Sequence, residues 1–285
     1  MKQFFKNVIQ YSTLISQYFS GIGTIFMLHR VHPFEDNKLL PNENLKVSPQ
    51  FLEKFIIELK SKGYEFISLD RLHELLIKKF KAKKQIIITL DDGYKDNYEI
   101  AYPIFKKYNV PFAIYITTSF TNRTSSLWWY VLEDLIVNNC EINLSDGSRY
   151  ICKTDKEKTD VFITVKDKIK DMFIFSRQNE FAGKLNEMFI DYKNGIDWFG
   201  KCEELIMSWD DIQELSKDPL VTIGGHTKNH FALNKICPDK IVEEIVEANS
   251  LIENKIGKKI EHFAYPFGSM NEIGRKECDI VKSLG

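Results

Sequence analysis

Residues 85–93 read Gln-Ile-Ile-Ile-Thr-Leu-Asp-Asp-Gly, an apolar run without polar alternation that ends in two carboxylates and a glycine. Such a run is typical of a strand buried on both faces of a parallel sheet. The rest of the chain alternates between short apolar runs and amphipathic stretches, which predicts further strands at 24–28, 65–69, 111–117, 220–223 and 261–264. The pattern indicates an α/β fold with helices on both faces of its sheet.

Residues 119–207 interrupt this alternation. Spacing and turn residues predict a helix over 128–137, a hairpin over 141–152 that turns at Asp146-Gly147, and helices over 154–172 and 178–190. We predict a single domain over 1–285, in which 119–207 is a mostly helical insertion that sits over one face of the core.

The composition excludes several classes of protein. The 285 residues carry 39 Lys and Arg against 40 Asp and Glu, a net charge of −1. Because there is no long basic run, the electrostatic pattern of a nucleic-acid-binding protein is missing. The five cysteines are scattered and never spaced as Cys-x-x-Cys, which argues against a disulfide framework and a zinc knuckle.

The first 22 residues are predicted to form an amphipathic helix, with apolar side chains at helical spacing over 2–19. We favour a helix that lies on the domain surface, and peripheral contact with a membrane or a partner is the alternative. The segment lacks a signal-peptide pattern, and no stretch reaches the about 18 apolar residues of a spanning helix. We therefore expect no transmembrane segment and a cytoplasmic location, with membrane association through 2–19 as the alternative. Composition says nothing about oligomeric state.

Three short polar clusters each follow a predicted strand: 89–93, 226–230 and 265–268. Loops at the carboxyl ends of parallel strands converge on one face of a sheet or barrel, so the three clusters are expected to meet there. The third, Tyr-Pro-Phe-Gly, has little side-chain chemistry. It is either a plain turn or a rigid turn that presents a backbone N–H to the site.

Asp91 and Asp92 would be costly to bury side by side without a cation, because like charges repel. One interpretation gives one carboxylate to a divalent metal and leaves the other as a base. The other interpretation is a solvated turn before Gly93 in which one aspartate caps the next helix.

His226 and His230 are four residues apart, so a helical turn would place both imidazoles on one side. The alternative is a pair of loop histidines that bond backbone or water. Gly224-Gly225 would allow close backbone approach, and the Asp91-Asp92 pair lies at the end of another predicted strand. Two histidines and one aspartate form an open metal site with a position left for water.

In this order the clusters resemble the motifs of the polysaccharide deacetylase family, also called the NodB-homology or carbohydrate esterase 4 family. Its T-F-D-D-G motif is matched by 89–93 with Leu90 for Phe, H-[ST]-x-x-H is matched in full by 226–230, and R-x-P-Y is matched partly by 264–268. The resemblance implies a distorted (β/α) barrel of the NodB/glycoside hydrolase-deacetylase type. It also implies a divalent metal, with Zn²⁺ expected. The roles it implies are Asp91 as general base, Asp92, His226 and His230 as metal ligands, and the backbone N–H of Phe267 as an oxyanion donor.

The family's general-acid histidine normally comes from a last L-x-H motif, and no histidine follows residue 268. Residues 27–31, Met-Leu-His-Arg-Val, resemble instead the Y-H-x-V start of a permuted branch, the exopolysaccharide deacetylases that act on poly-N-acetylglucosamine. The resemblance makes His29 the candidate acid. The competing interpretation is that His29 is a core residue and that His32 or His262 provides the acid.

The sequence departs from the family pattern in two further places. Ala264 stands where many members have the Arg that orients the base, so another group is expected to hold Asp91. The permuted branch has a similar A-x-P-[YF]-G sequence. The sequence also stops at Gly285, where a final barrel strand is expected, which predicts a barrel that is incomplete at its C-terminus.

The resemblance therefore implies a metal-dependent hydrolase that removes N-acetyl groups from the sugars of a poly- or oligosaccharide or of a cell-surface glycan precursor, with release of acetate. Trp128 and Trp129 would line a sugar groove or pack in a core. Two alternatives remain: a metal hydrolase of another non-peptide C–N bond, and a catalytically inactive carbohydrate-binding homologue.

Overall fold

One parallel sheet carries the strand ends on which the predicted site depends. Its centre, β5 (Gln85–Leu90), pairs with β1 (Gly23–Leu28) along its full length, with β4 (Glu65–Phe66) at its first two residues and with β6 (Phe112–Ile116) at its last three. β6 pairs in turn with β9 (Val221–Gly225). All pairings are parallel, so the carboxyl ends of these strands point the same way.

The structure is a computed structural model and describes residues 21–78, 84–173, 178–192 and 195–284, with the side chains of 171–173 and 178–182 left out. The N-terminal helix predicted over 1–22, with its apolar face over 2–19, lies outside the described residues up to position 20. Within the described ranges, no helix combines the length and the apolar character needed to cross a membrane.

Helices connect the strands and form most of the region between β6 and β9. In chain order they are α1 (Leu40–Glu43), α2 (Pro49–Ser61), α3 (Leu69–Ile77), α4 (Tyr102–Lys107), α5 (Thr118–Thr121), α6 (Trp128–Asn138), α7 (Asp155–Phe173), α8 (Gln178–Met188), α9 (Gly200–Leu205), α10 (Trp209–Leu215), α11 (Pro238–Ile256) and α12 (Arg275–Ser283). A π-helical turn, Asn97–Ala101, leads into α4, and 3-10 turns occupy Ile190–Tyr192 and Leu233–Lys235. Two small ladders complete the fold, parallel β2 (Arg30–Val31) with β3 (Lys46–Val47) and antiparallel β7 (Glu141–Asn143) with β8 (Arg149–Ile151).

Local sequence explains where several helices begin. Ser208 Oγ accepts a hydrogen bond from Asp211 N, and the Asp211 carboxylate accepts one from Ser208 N, so the predicted capping box before α10 is confirmed. Thr154 and Glu157 exchange the same pair of bonds before α7. At α3 the N-cap is Ser68, which accepts from Arg71 N.

Two predicted strands differ from the structure. The run 65–69 is a strand only at its first two residues, because Ser68 already caps α3 there. The run 261–264 makes a single bridge, between Phe263 and Gly225. Pro266, two residues after the end of this run, has no N–H and prevents the ladder from continuing.

Side chains of β5 are buried on both faces, as the apolar run predicts. Ile86, Ile88 and Leu90 pack with helix residues of α2, α4 and α10 in the main hydrophobic cluster. Ile87 points to the other face and contacts a smaller cluster with Ile67 and Leu75. β5 is therefore a central strand whose end is held rigidly by packing.

The region predicted as an insertion has a hydrophobic cluster of its own. Its helices and hairpin occur as the sequence predicts, and α6, α7 and α8 pack around Leu132, Phe162 and Leu185. Leu39, which precedes α1, joins this cluster from the core side. This contact places α6 and α7 beside the carboxyl ends of the sheet strands.

Candidate active site

The ends of the parallel strands bring the predicted site residues to one cavity. His29 follows β1, Asp91 and Asp92 follow β5, and His226 and His230 follow β9. All five line the same cavity, together with Phe267 from the turn after the Phe263 bridge. The expected convergence of the three polar clusters is therefore found in the structure.

Asp92, His226 and His230 form a compact group of potential metal ligands. Asp92 Oδ1 lies 3.2 Å from His230 Nε2 and 3.5 Å from His226 Nε2, and one ligand atom from each residue lies within 4.8 Å of the others. Asp92 is only 3 % exposed, yet its Oδ1 has no hydrogen-bond partner. A buried carboxylate oxygen and two imidazole nitrogens that converge on one point fit a divalent cation.

The protonation of His226 is set by a backbone contact. Its Nδ1 lies 2.8 Å from the carbonyl oxygen of Ala264, which only accepts hydrogen bonds, so Nδ1 carries the proton and Nε2 presents its lone pair to Asp92. Burial lowers the pKa of His226 to about 3, with His230 adding to the effect. His226 is thus held neutral, which is the form that binds a metal.

The second histidine reaches the site through a strained loop rather than the helical turn considered from its spacing. Thr227 and His230 have φ of 64° and 58°, and Thr227 Oγ1 accepts a hydrogen bond from His230 N. The loop rests on fully buried Glu244, whose carboxylate accepts from Asn229 N at 2.8 Å and from Asn229 Nδ2. Residues other than glycine rarely adopt a positive φ. Where they do, the surrounding structure imposes the strained geometry, which is typical of functional sites.

The two glycines before His226 are required by close contacts. A Cβ on Gly224 would lie 2.5 Å from the Tyr115 ring, and one on Gly225 would lie 2.1 Å from Asn249 Oδ1. β9 therefore lies closer to its neighbours than any larger residue would permit.

Asp91 is not the solvated turn residue of the alternative interpretation. It is 8 % exposed, its N–H donates to Leu28 O, and its Oδ1 has no hydrogen-bond partner. Burial, and then the charge of Asp92, raise the pKa of Asp91 to about 8. Burial acts on Asp92 in the same direction but is outweighed by His230, His29 and His226, which hold its pKa below the usual range. Among the described residues, no side chain forms a hydrogen bond or an ion pair with Asp91, so none replaces the Arg that many family members have at the position of Ala264.

His29 borders the cavity and is held by the residues around it. Asn97 Nδ2 donates to His29 O at 2.9 Å, and the adjacent Arg30 forms a buried ion pair with Asp96 at 2.7 Å. Burial lowers the pKa of His29. Neither competitor lines the cavity: His32 lies beside Pro33 O, and His262 Nε2 lies 2.7 Å from Asp70 Oδ1.

Phe267 stands at a tight turn against the second histidine. Its φ is 64°, and its ring meets the His230 ring edge to face with centroids 4.7 Å apart. No group in the described part of the chain accepts a hydrogen bond from its amide. The amide is therefore available at the turn where the resemblance implies an oxyanion donor.

Aromatic residues extend the cavity away from the candidate metal ligands. Trp128 and Trp129 line it from α6, and Phe120 lines the adjoining space beyond His230. Trp128 is also buried in the cluster of the predicted insertion, so both interpretations of the tryptophan pair apply. The remaining two tryptophans lie elsewhere, with Trp198 Nε1 donating to Asn186 and Trp209 Nε1 to Asn122.

Two cavity residues carried no sequence signal. Lys166 and Lys170 reach the cavity from α7, next to Phe162. In sequence they belong to Lys-Asp-Lys-Ile-Lys, which is typical of a solvated helix face. Only the packing of α7 across the strand ends brings them to the site.

The comparisons with known proteins agree with this geometry. The family model for polysaccharide deacetylase matches residues 78–145 and 153–285. YxkH of Bacillus subtilis, named for the same family, is 34 % identical over 74 residues, which cover 26 % of this chain and 26 % of that protein, so the match spans about a quarter of its length.

Solved structures show the same architecture. The Streptococcus pyogenes deacetylase PplD, in complex with acetate, has a TM-score of 0.54 at 17 % identity and covers 91 % of this chain and 79 % of its own. IcaB from Ammonifex degensii has a TM-score of 0.56 at 16 % identity, over 92 % and 80 %. The de-N-acetylase from Aggregatibacter actinomycetemcomitans has a TM-score of 0.55 at 17 % identity, and the match covers 92 % of this chain and 85 % of that one. The predicted fold class, a distorted α/β barrel of the deacetylase type, is confirmed.

Proposed function

The chain belongs to the polysaccharide deacetylase family, and from that premise we propose that it hydrolyses the N-acetyl group of an acetamido sugar and releases acetate. The substrate is a poly- or oligosaccharide or a cell-surface glycan precursor. The observation that carries the proposal is the buried group of Asp92, His226 and His230, with the unpartnered Asp91 carboxylate next to it on the same cavity.

The family is a class of metalloenzymes, and the donor set of one carboxylate and two imidazoles suits a divalent cation, for which we propose Zn²⁺. Asp92, His226 and His230 would hold it. When bound, such a cation lowers the pKa of water and polarises a carbonyl.

The remaining residues divide the proton transfers between them. Asp91 takes a proton from the attacking water, a task for which a buried carboxylate of raised pKa is suited. The amide of Phe267 donates a hydrogen bond to the oxyanion that forms at the acetyl carbon. His29 gives a proton to the sugar nitrogen as the C–N bond breaks, and its lowered pKa makes the imidazolium a stronger donor. Acetate and a free amino sugar result.

The aromatic wall supports a sugar substrate. The apolar C–H faces of sugars stack on aromatic rings, and Trp128, Trp129 and Phe120 provide such surfaces beside the ligands. One structural neighbour is described as a de-N-acetylase, and another was solved in complex with acetate. Both descriptions support cleavage of an N-acetyl bond and acetate as the product here.

A combined metal and product assay tests the proposal. Purified protein is expected to contain about one zinc per chain and to release acetate from chitotetraose, a neutral N-acetylglucosamine oligomer. Asp91→Asn should keep the metal and lose acetate release by about 100-fold or more. Bound zinc without acetate release, or an Asp91→Asn variant as active as the parent protein, would contradict a deacetylase.

A further inference from the structure

Helix α7 turns one face toward the active-site cavity. Phe162, Lys166 and Lys170 are spaced four residues apart, so they lie above one another on that face, and all three line the cavity that contains the metal ligands. Lys168, between them, points away from the cavity: its Nζ bonds Asp146 Oδ2 at 2.7 Å. The two cavity lysines therefore differ from their neighbour in position and in partner.

Lys170 lies against the turn that carries Phe267. Its Nζ lies 4.8 Å from the centroid of the Phe267 ring and 4.0 Å from Glu272 Oε1, at the edge of an ion-pair contact. The side chain is 34 % exposed, so these contacts do not enclose it. An incoming group that reaches Phe267 also comes within reach of Lys170.

Lys166 is partly buried and has no acidic partner within ion-pair distance in the described ranges. Burial, followed by the charge of Lys170, lowers its pKa. The ammonium of Lys170 four residues away adds repulsion, and the neighbouring Asp167 offsets it only in part, because the net shift of the pKa is downward. Placing two cations here costs free energy that an anion in the cavity would recover.

The carboxylates of the site do not account for these lysines. A divalent cation would offset the charges of Asp91 and Asp92, and the main causes of the pKa shifts of both carboxylates lie in burial, in the aspartate pair and in the histidines. Beyond the contact of Lys170 with Glu272, the positive charge at α7 is thus left for a ligand.

We propose that Lys166 and Lys170 form a subsite for a negatively charged group, a carboxylate or a phosphate, which the substrate carries next to its N-acetylated sugar. The proposal rests on the proposed function and deepens it by naming the substrate class, an anionic glycan. Two ammonium groups with rotatable donors suit either anion. The carboxylate of a neighbouring uronic acid and the phosphate of a sugar phosphate are the two sources that experiment must distinguish.

A comparison of three substrates tests the subsite in catalysis. They are chitotetraose, which is neutral, a heparosan tetrasaccharide, which alternates glucuronate with N-acetylglucosamine, and N-acetylglucosamine 1-phosphate. We expect at least one charged substrate to exceed chitotetraose in kcat/KM by about ten-fold at low salt, and the better one identifies the anion. Lys166→Gln should lower that ratio about ten-fold, the effect of one charge-assisted hydrogen bond. Lys168→Gln, the matched control on the same helix, should leave it unchanged.

Two results would overturn the subsite. One is a charged-to-neutral ratio that Lys166→Gln does not alter. The other is an equal loss on charged and neutral substrates, which would show that the lysine bonds sugar hydroxyls instead. The preference should also weaken as salt rises, because screening acts on the charged substrate alone.

A binding measurement separates this proposal from the deacetylase itself. Trp128 and Trp129 line the cavity, so their fluorescence reports occupancy without turnover. The charged ligand is expected to bind more tightly than chitotetraose and to lose about ten-fold in affinity in Lys166→Gln. If no substrate releases acetate but this difference holds, the proposed function fails and the anionic subsite stands. Equal affinities for charged and neutral ligands would refute the subsite whatever the activity.

Discussion

Asp91 and Asp92 are neighbours in the chain but occupy different electrostatic surroundings. Burial alone raises the pKa of both, yet Asp92 faces three imidazoles and Asp91 faces only another carboxylate. The pKa values of the two carboxyl groups therefore diverge, which suits Asp92 to binding a cation and Asp91 to holding a proton. Such a separation within a pair of titratable groups is how one site obtains both a ligand and a base.

Asp91 is expected to destabilise the metal-free protein in a pH-dependent way. Its pKa is about 8 in the folded chain and near 3.8 when unfolded, so between these values the folded state binds more protons. The free energy of unfolding should therefore fall as pH rises from about 4 to about 8. With chelator present, Asp91→Asn should be more stable than the parent protein at pH 9 by on the order of 2 kcal/mol, with a smaller difference at pH 5. Urea unfolding at both pH values measures this, and a difference independent of pH would refute the assignment.

His29 should be needed for proton donation rather than for metal binding. We expect His29→Gln to lower kcat about 100-fold, to retain its zinc, and to lose the fall in activity that deprotonation of His29 causes as pH rises through its lowered pKa. His32→Gln, a histidine outside the cavity, is the control and should retain the parent profile. If His29→Gln keeps full activity, the proton comes from another donor, although membership of the family is unaffected.

Glu244 supports the loop between His226 and His230 without touching the candidate ligand atoms. Its carboxylate accepts two hydrogen bonds from Asn229, the residue before His230. Removing a group that orients a ligand typically costs about 10–100-fold in metal affinity. Glu244→Ala should show that loss in competition with a fluorescent zinc chelator. Its neighbour Glu243, paired with Lys240 on the exposed side of α11, is the matched control, and an equal effect of Glu243→Ala would argue for a general electrostatic cause.

At the level of the elements, caps and turn residues decide where helices begin, whereas long-range pairing decides whether a short run becomes a strand. The capping boxes at Ser208 and Thr154 were predictable because their partners are three residues away. The run 261–264 has strand character in sequence but forms only one bridge. Whether it extends depends on Pro266 and on the position of β9, which local spacing does not reveal.

The cap of α10 offers a test of the local contribution. Ser208→Ala removes the side chain that bonds Asp211 N and should lower the free energy of unfolding by about 1 kcal/mol. Ser61→Ala, an exposed hydroxyl at the end of α2, should change it by less than about 0.5 kcal/mol. Urea unfolding compares the two variants. Equal effects would mean that the capping box adds nothing beyond an exposed serine.

For the whole molecule, the candidate metal centre connects parts of the chain that are far apart in sequence. Asp92 follows β5 and the two histidines follow β9, with the predicted insertion between them. A cation bound there stabilises only the folded state, in which these ligands are close together.

Metal removal should therefore lower the thermal stability of the entire domain. We expect a chelator to reduce Tm by on the order of 10 °C, with recovery on addition of Zn²⁺. His226→Ala, which lacks one ligand, should have the lower Tm from the start and respond little to the chelator. A parent protein whose Tm is the same with and without chelator would contradict a metal centre on these residues.

The sequence by itself determined the parallel α/β framework, most helix positions and the grouping of Asp91, Asp92, His226 and His230 at strand ends. It did so because hydrophobic period, caps and motif spacing are local properties. Only the tertiary structure decided the rest. The strained loop at His230, the support by Glu244 and the arrival of Lys166 and Lys170 over the site depend on packing between segments distant in the chain. Charges on a helix look alike in sequence, and what they face is set by the elements packed against them.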